Sequence, residues 1–487
     1  MRHFTYRNLD DLRRAAEIAG TAHVQFTDSA EDVRRVLARP VRVGQLTVGN
    51  SIAIQPMEGC DGTLDGRPDE LTWRRYERFA RGGAKLVWFE ATAVREDGRA
   101  NTRQLWIRPD NVAEFACLLA HIRRLHREQW GTSDDLLEPI QLTHSGRYSV
   151  PRRIIAYHNP HIDRKTATPA GYPTISDDEL ERLEDDYVRA AALALDAGFR
   201  AVDIKAVHGY LVSELLGAKT RAGRYGGSLE NRARFLRNVI GRLRAAFGRR
   251  LLIAVRMNAF DGVPFTRDPA SGLGVACNYE TPYPYGWGVD ANDPRREDLA
   301  EPRQLIAWLR EWGVELLNIS LGSPYYNPHI GRPFEKPDDG NYEQPEHPLT
   351  GVDRHFRIAA ELQHAFPDLP MVGTGYSWLQ KYAVNAAAQN LAAANARFFG
   401  LGRGALAYPD FARDALEKGE LDERRCCKTL TFCTYLMRQK NHPLGQFPTG
   451  CPPFDKEGYG EVIKQARHAA QAAKSNGPSH NRTPPNP

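Results

Sequence analysis

Apolar residues fall in short runs along this chain, and from Ile52 onward the runs keep a regular spacing. Eight of them read as strands: Ile52 to Met57, Leu86 to Phe89, Pro139 to Leu142, Ala201 to Ile204, Leu251 to Val255, Leu316 to Ile319, Met371 to Val372 and Arg397 to Phe399. Between most of them the apolar period lengthens to that of a helix, over Glu179 to Ala197, Glu230 to Ala246, Glu301 to Trp312 and Asp353 to Phe366. Strands that alternate with helices predict an α/β fold, and eight such units predict a (β/α)8 TIM barrel more readily than an open sheet.

The flanks follow other patterns. Residues 1–40 carry two helical stretches, Leu9 to Ala19 and Ala30 to Leu37, with Asp28 or Ser29 placed to cap the second, and read as an added ornament. Val41 to Val48 alternates apolar and polar residues around Gly44, a hairpin suited to closing the bottom of a barrel. The barrel itself is expected over 41–415. A helical C-terminal extension is expected over 416–474, and a polar, Pro-rich, disordered tail over 475–487. Two connections, Val263 to Asp298 and Leu321 to Gly351, are long and rich in Pro, Tyr and Gly. Both follow strand ends on the expected active face, where loops of this length serve as lids or binding loops.

Composition narrows the class. Basic residues number 65 against 60 acidic ones, a net charge of +5 spread without a block, which favours acidic small molecules over nucleic acid as partners. Seven Cys with no repeated spacing argue for a reducing cytoplasm and against a disulfide framework. No apolar run approaches the length of a membrane span, and Met1 to Arg7 is followed by charge, so a soluble, intracellular protein is expected.

Chemistry concentrates where strands end. The run Val202 to Leu211 delivers Lys205, His208 and Tyr210 at the carboxyl end of a strand, where side chains of a barrel converge on one mouth. A capped strand end with a snorkelling Lys and a hydrogen-bonded Tyr reads as well from these residues alone. Two Gly turns, Gly373-Thr374-Gly375 and Gly400-Leu401-Gly402-Arg403-Gly404, follow the seventh and eighth strands. Paired turns there form the phosphate site common to such barrels, with Arg403 adding charge.

Five spaced motifs then resemble the Old Yellow Enzyme family of FMN-dependent oxidoreductases. They are Asn50 to Met57, Gln141 to Arg147, His208-Gly209-Tyr210-Leu211, Arg224 to Arg232 and the Gly turns, in family order over roughly Val41 to Ala415. The resemblance implies FMN as cofactor and NADH or NADPH as reductant, with hydride passed on to an activated C=C bond of a small molecule. It assigns Gln141 to the pyrimidine edge of the flavin, Arg256 to the N1 and C2 carbonyl side, Pro56 and Met57 to the ring, and Gly373, Gly375, Gly402 and Arg403 to the phosphate. Tyr210 falls on the proton donor, and Lys205 with His208 on the pair of donors that grip the substrate's activating oxygen. Dimers and tetramers are usual in the family, and nothing in the sequence fixes an interface.

Three departures qualify the resemblance. Lys205 replaces an imidazole, which favours an anionic or enolate-like substrate or else a carboxylate partner within the protein. Glu58 replaces a Thr or Cys beside the flavin C4 carbonyl, and an ionised carboxylate facing the ring would oppose reduction, so Glu58 is expected to point away or to be hydrogen-bonded. Cys426, Cys427, Cys433 and Cys451 approach the iron-sulfur spacing of longer relatives, but Thr429 fills the second slot, which reads as a degenerate or absent cluster with no metal bound. An FMN-dependent dehydrogenase acting on an amine or cyclic substrate is the alternative enzyme, and a flavin or phosphate-ligand binding barrel the non-enzyme alternative.

Overall fold

The structure, a computed structural model, describes residues 3–337 and 341–475. Eight strands form its centre: β1 (Ile52–Ile54), β2 (Leu86–Val87 and Phe89–Ala93), β3 (Pro139–Thr143), β4 (Ala201–Ala206), β5 (Leu252–Phe260), β6 (Leu316–Leu321), β7 (Met371–Gly373) and β8 (Phe398–Leu401). Each pairs in parallel with the next, and β8 pairs with β1 through Phe399–Ile52, Gly400–Ala53 and Leu401–Ile54. The first piece of β2 pairs with β1 and the second with β3, so the two free edges of the sheet are halves of one strand and the sheet closes as a barrel. The break falls at Trp88. Its indole turns into the barrel and donates to Asp203 Oδ2 at 3.0 Å, an obligation that an apolar reading of Leu86 to Phe89 did not register.

Two apolar layers hold the barrel. Inside its lower end, Val43 and Val48 of the hairpin Val41–Val43/Leu46–Val48 pack against Leu86, Trp88, Leu252, Leu316 and Phe398, so the hairpin closes the bottom as its alternation predicts. Outside, helices lay their apolar stripes on the strands. Helix Asp177–Asp196, capped by Ser176, buries Leu180, Leu183, Tyr187 and Ala191. Full burial of one such aliphatic side chain contributes roughly 1.5–3 kcal/mol.

The flanking segments belong to the same packing. Helix Leu9–Ile18 buries Leu12, and helix Ala30–Leu37, capped by Ser29, buries Val33, Val36 and Leu37. Phe4 stacks edge-on against Trp378, while its backbone N–H donates to Glu335. The N-terminal arm is therefore part of the core, because three residues of its second helix find apolar partners on the barrel's outer surface. At the other end, helix Lys456–Ser475 follows helix Phe432–Arg438, and Tyr459, Ile463 and Ala466 pack with Leu436 and Phe447. The expected tail lies outside the described residues from Asn476 onward. Of the two long connections, the first carries a hairpin, Phe265–Arg267 with Gly274–Ala276, and the second a short helix, Pro328–Gly331. Among the described residues, no helix is long and apolar enough to cross a membrane.

Candidate active site

A cleft of about 1250 Å³, counting its open mouth, lies at the carboxyl ends of the strands. Ten of the eleven residues singled out from the sequence line it: Pro56, Met57, Gln141, Lys205, His208, Tyr210, Arg256, Gly375, Gly402 and Arg403. Gly373 does not. It sits inside β7, where its carbonyl packs against Gly400, whose own missing side chain would come within 2.3 Å of Gln55 Nε2.

The floor is built from strand ends whose polar groups are only partly satisfied. Arg256 ends the apolar stretch of β5, donates through Nη1 to the Pro56 carbonyl at 3.2 Å, and among the described residues leaves Nε without a partner. Burial, partly offset by Asp203, pulls its guanidinium down to about 10, so it is a cation at neutral pH. Gln141 donates to Asp203 Oδ2 at 2.6 Å, which fixes the amide. Gln55 accepts from Asn318 and, among the described residues, has no partner for Nε2. Arg403 donates to the Pro333 carbonyl at 2.8 Å and, among the described residues, leaves Nη1 unpaired. Buried donors without acceptors cost free energy, and four cleft residues that share this deficit or lie beside it describe a place for an acceptor-rich ligand. Gly375 has φ +95°, a conformation that L side chains rarely adopt, and a Cβ there would meet His355 at 2.9 Å. A Cβ at Gly402 would point at Gln55 and Met57 and fill the floor.

The wall opposite is joined in one network through Glu58 Oε1. Lys205 Nζ donates to Glu58 Oε1 at 3.0 Å, and Tyr210 Oη donates to the same oxygen at 3.0 Å. Tyr325 Oη lies 2.9 Å from Tyr210 Oη, and since Tyr210 spends its one proton on Glu58, Tyr325 is the donor in that pair. Lys205 Nζ also sits 3.6 Å from the Tyr210 ring centroid, a cation–π contact. Burial, then the charge of Glu58, raises Tyr210 well above the usual phenol range, so the phenol keeps its proton at neutral pH. Burial lowers Lys205, and Glu58 opposes the fall. Glu58 is hydrogen-bonded, one of the two arrangements expected of it. Lys205 holds a protein carboxylate, the second of the two roles its sequence left open.

His208 stands apart from that network. Among the described residues its imidazole makes no hydrogen bond, and burial together with the charges of Arg256 and Lys205 holds it well below its ordinary value, hence neutral. Its backbone is at φ +69° and Gly209 follows at +73°, two left-handed residues that turn the chain from β4 into helix Leu211–Leu216. A non-Gly residue in that region costs on the order of 1–3 kcal/mol, and the Ser323 hydroxyl, donating to the His208 carbonyl at 3.2 Å, helps to hold it.

Sequence reasoning missed several groups. Asp203 collects Trp88, Gln141 and the Arg256 backbone N–H around one buried carboxylate, and an acid inside the run Val202 to Ile204 was the available signal. Gln55, polar inside the run Ile52 to Met57, was another. Cys433, Thr434, Met437 and Thr449 of the C-terminal extension line the cleft, and nothing local to them announces it. Burial raises the Cys427 and Cys451 thiols, and Cys433 lies near enough to both to add to the rise. Among the described residues, no group of three or more His, Cys, Asp or Glu is arranged to hold a metal ion.

Comparison with known proteins agrees with this geometry. A profile of the NADH:flavin oxidoreductase / NADH oxidase family matches residues 36–270. NADPH dehydrogenase of Bacillus subtilis (strain 168) is 30% identical over 296 residues, covering 59% of this chain and 74% of the relative. NADPH dehydrogenase of Geobacillus sp. (strain WCH70) is 33% identical over 293 residues, with 59% and 73% covered. In fold, the chain is similar to the old yellow enzyme homologue from Zymomonas mobilis, with a TM-score of 0.55, 23% identity, and 79% and 94% of the two chains covered. It is similar also to a 2-naphthoyl-CoA reductase complex, with a TM-score of 0.62, 16% identity, and 83% and 55% covered. With the barrel, the cleft and these relatives together, the chain belongs to the NADH:flavin oxidoreductase / NADH oxidase family, the old yellow enzymes, and is an FMN-dependent NAD(P)H oxidoreductase.

Proposed function

We propose that this enzyme reduces an activated C=C bond of a small molecule, with Tyr210 as the proton donor and His208 as the grip on the substrate's activating oxygen. When bound, FMN supplies the two-electron carrier between NAD(P)H and the substrate. The floor of the cleft fits that group. Pro56 and Met57 offer an apolar surface for a flat ring, Gln141 and Arg256 offer an amide and a cation at its edge, and Arg403 with Gly375 and Gly402 offers charge and room for a phosphate.

The observation that carries the reading is the placement of a protonated phenol and a neutral, unengaged imidazole on one strand end, over the same floor as Arg256. His208 can donate one hydrogen bond to a carbonyl or carboxylate oxygen and so hold the neighbouring C=C bond above the floor. Tyr210 then gives a proton to the carbon next to the one that takes hydride. Leu321, Pro324 and Tyr325 wall the same space. A flavin or phosphate store needs only the Gly turns and Arg403, so a proton donor beside Arg256 speaks against it.

The test is spectroscopic. Purified protein loaded with FMN should bleach with NADPH or NADH without air and regain its yellow colour when 2-cyclohexen-1-one is added. Bleaching without recovery on any enone or enoate would remove the alkene reading and leave the amine or cyclic-substrate dehydrogenase.

A further inference from the structure

The floor and His208 account for cofactor and substrate, but neither explains why a carboxylate shares its oxygen with the catalytic phenol. A pair built only to neutralise Lys205 would place Glu58 on the ammonium and leave Tyr210 free to face the cleft. Here Glu58 Oε1 receives both groups, at 3.0 Å each, and Tyr325 donates to Tyr210 from the other side at 2.9 Å. Tyr210 therefore aims its only proton at Glu58 and not at the cleft. Among the described residues Glu58 Oε2 makes no hydrogen bond, and the carboxyl lines the cleft with its side chain 9% exposed. The groups that act on it are Lys205, Tyr210, Tyr325 and Cys60.

We propose that Glu58 is the second station of a proton relay, exchanging with Tyr210 the proton that Tyr210 exchanges with substrate. The proposal rests on the alkene-reducing reading above. In that sense of the reaction, the Tyr210 O–H bond breaks as a C–H bond forms on the substrate, and the O–H electron pair stays on the phenolate oxygen. That oxygen takes the proton of the Glu58 carboxyl across the same 3.0 Å contact. Glu58 ends as the acceptor of the Lys205 and Tyr210 contacts at Oε1. FMN, when bound, would supply the two electrons from NAD(P)H, and the matching proton comes from water in the cleft, through Glu58, before the substrate is reduced. A tyrosinate and a carboxylate never stand together on one side of the cleft, a juxtaposition that repulsion in a low-dielectric site would penalise. Run backwards, the same two transfers remove a proton from a saturated substrate. Glu58 is thus a positioning and relay residue, and Tyr210 alone touches the reacting carbon.

The test uses FMN-loaded enzyme, wild type, Glu58→Gln, Tyr210→Phe and the double variant, reduced without air and mixed with 2-cyclohexen-1-one in single turnovers. Glu58→Gln should slow reoxidation by about tenfold to a hundredfold, within the range of general acid–base contributions, and Glu58→Asp should recover part of that loss. In the Tyr210→Phe background the Glu58→Gln change should cost nothing further. The proton inventory in mixed H2O and D2O should fall from two exchanging protons to one in Glu58→Gln. Independently of substrate, a reduced-minus-oxidised infrared spectrum should contain a protonated-carboxyl band that Glu58→Gln lacks. An additive double variant, or a reduced enzyme without that band, overturns the relay. Failure of wild type to turn over any enone, with the carboxyl band present, defeats the alkene reading and leaves the Tyr210–Glu58 exchange standing.

Discussion

Glu58 and Asp61 are three residues apart in the sequence, and each founds a buried charge cluster of a different kind. Around Asp61, Arg75 makes two contacts at 2.6 and 3.1 Å and also holds Glu90, Thr72 donates to Asp61, and the Gly59 backbone N–H donates to Glu90 at 2.7 Å. Every carboxylate oxygen there is taken, and the three charged side chains are at most 4% exposed. Around Glu58, one oxygen takes two donors and, among the described residues, the other takes none, at the edge of an open cleft. Saturation holds each carboxylate to its partners and leaves no lone pair turned to the cleft. An unspent lone pair beside a phenol leaves a proton with somewhere to go, which is the physical difference between a cluster that holds a fold and one that can take part in chemistry.

Four substitutions sharpen or break that contrast. Tyr210→Phe should lower the rate of enone reduction by about 10²- to 10⁴-fold, the span of general acid catalysis, while bleaching by NADPH persists. Equal loss of both half-reactions would place Tyr210 with the cofactor and not with the substrate. Arg75→Met leaves Asp61 and Glu90 buried together without their cation. It should cost about 3–5 kcal/mol of stability in urea unfolding, and a loss under 1 kcal/mol would deny that this cluster holds the fold.

The third substitution concerns pH. Burial, with Arg75 offsetting part of it, pushes Glu90 up to about 7 from the ordinary carboxylate value of 4.5. Its folded form therefore binds a proton more tightly than its unfolded form between those two values. Stability from this group is present below the unfolded value and is lost as pH rises through the folded one. Glu90→Gln should flatten the decline in unfolding free energy between about pH 5 and pH 8, and an unchanged slope would assign the decline to other groups. Ile18→Lys supplies the baseline. Ile18 is 83% exposed, so the change should move stability by no more than about 0.5 kcal/mol and leave both half-reactions alone.

The contrast also marks where the sequence could be read. Barrel strands were legible because each is a short apolar run, and the bounds of helix Ala30–Leu37 followed from its period and its Ser29 cap. The floor of the cleft was legible for the same local reason, since Gln141, Arg256 and the Gly turns stand at strand ends. The pairing of Lys205 with Glu58 was not, because it joins residues 147 positions apart and depends on how β1 and β4 face each other across the barrel. The break at Trp88 was hidden because an indole counts as apolar while its N–H needs an acceptor, here Asp203. Gly373 was assigned to the cleft from its place in a Gly-x-Gly pattern, but the pattern alone does not say which glycine remains within the strand. The N-terminal arm read as an ornament because amphipathic periodicity shows that a helix has an apolar face and not what covers it.

One feature of the far end of the chain changes how the protein can be watched. Cys433, Thr434, Met437 and Thr449 come from a segment outside the barrel, yet they form part of the wall around the flavin's proposed seat. That segment is pinned from the other side by Asp455, which takes Arg74 at 2.8 Å and also Arg78, both on helix Glu70–Gly82. If the flavin sits where proposed, its retention depends on the docking of this strap. The protein's colour becomes a gauge: on warming, yellow flavin in the filtrate while the barrel's circular dichroism still holds reports the strap letting go first.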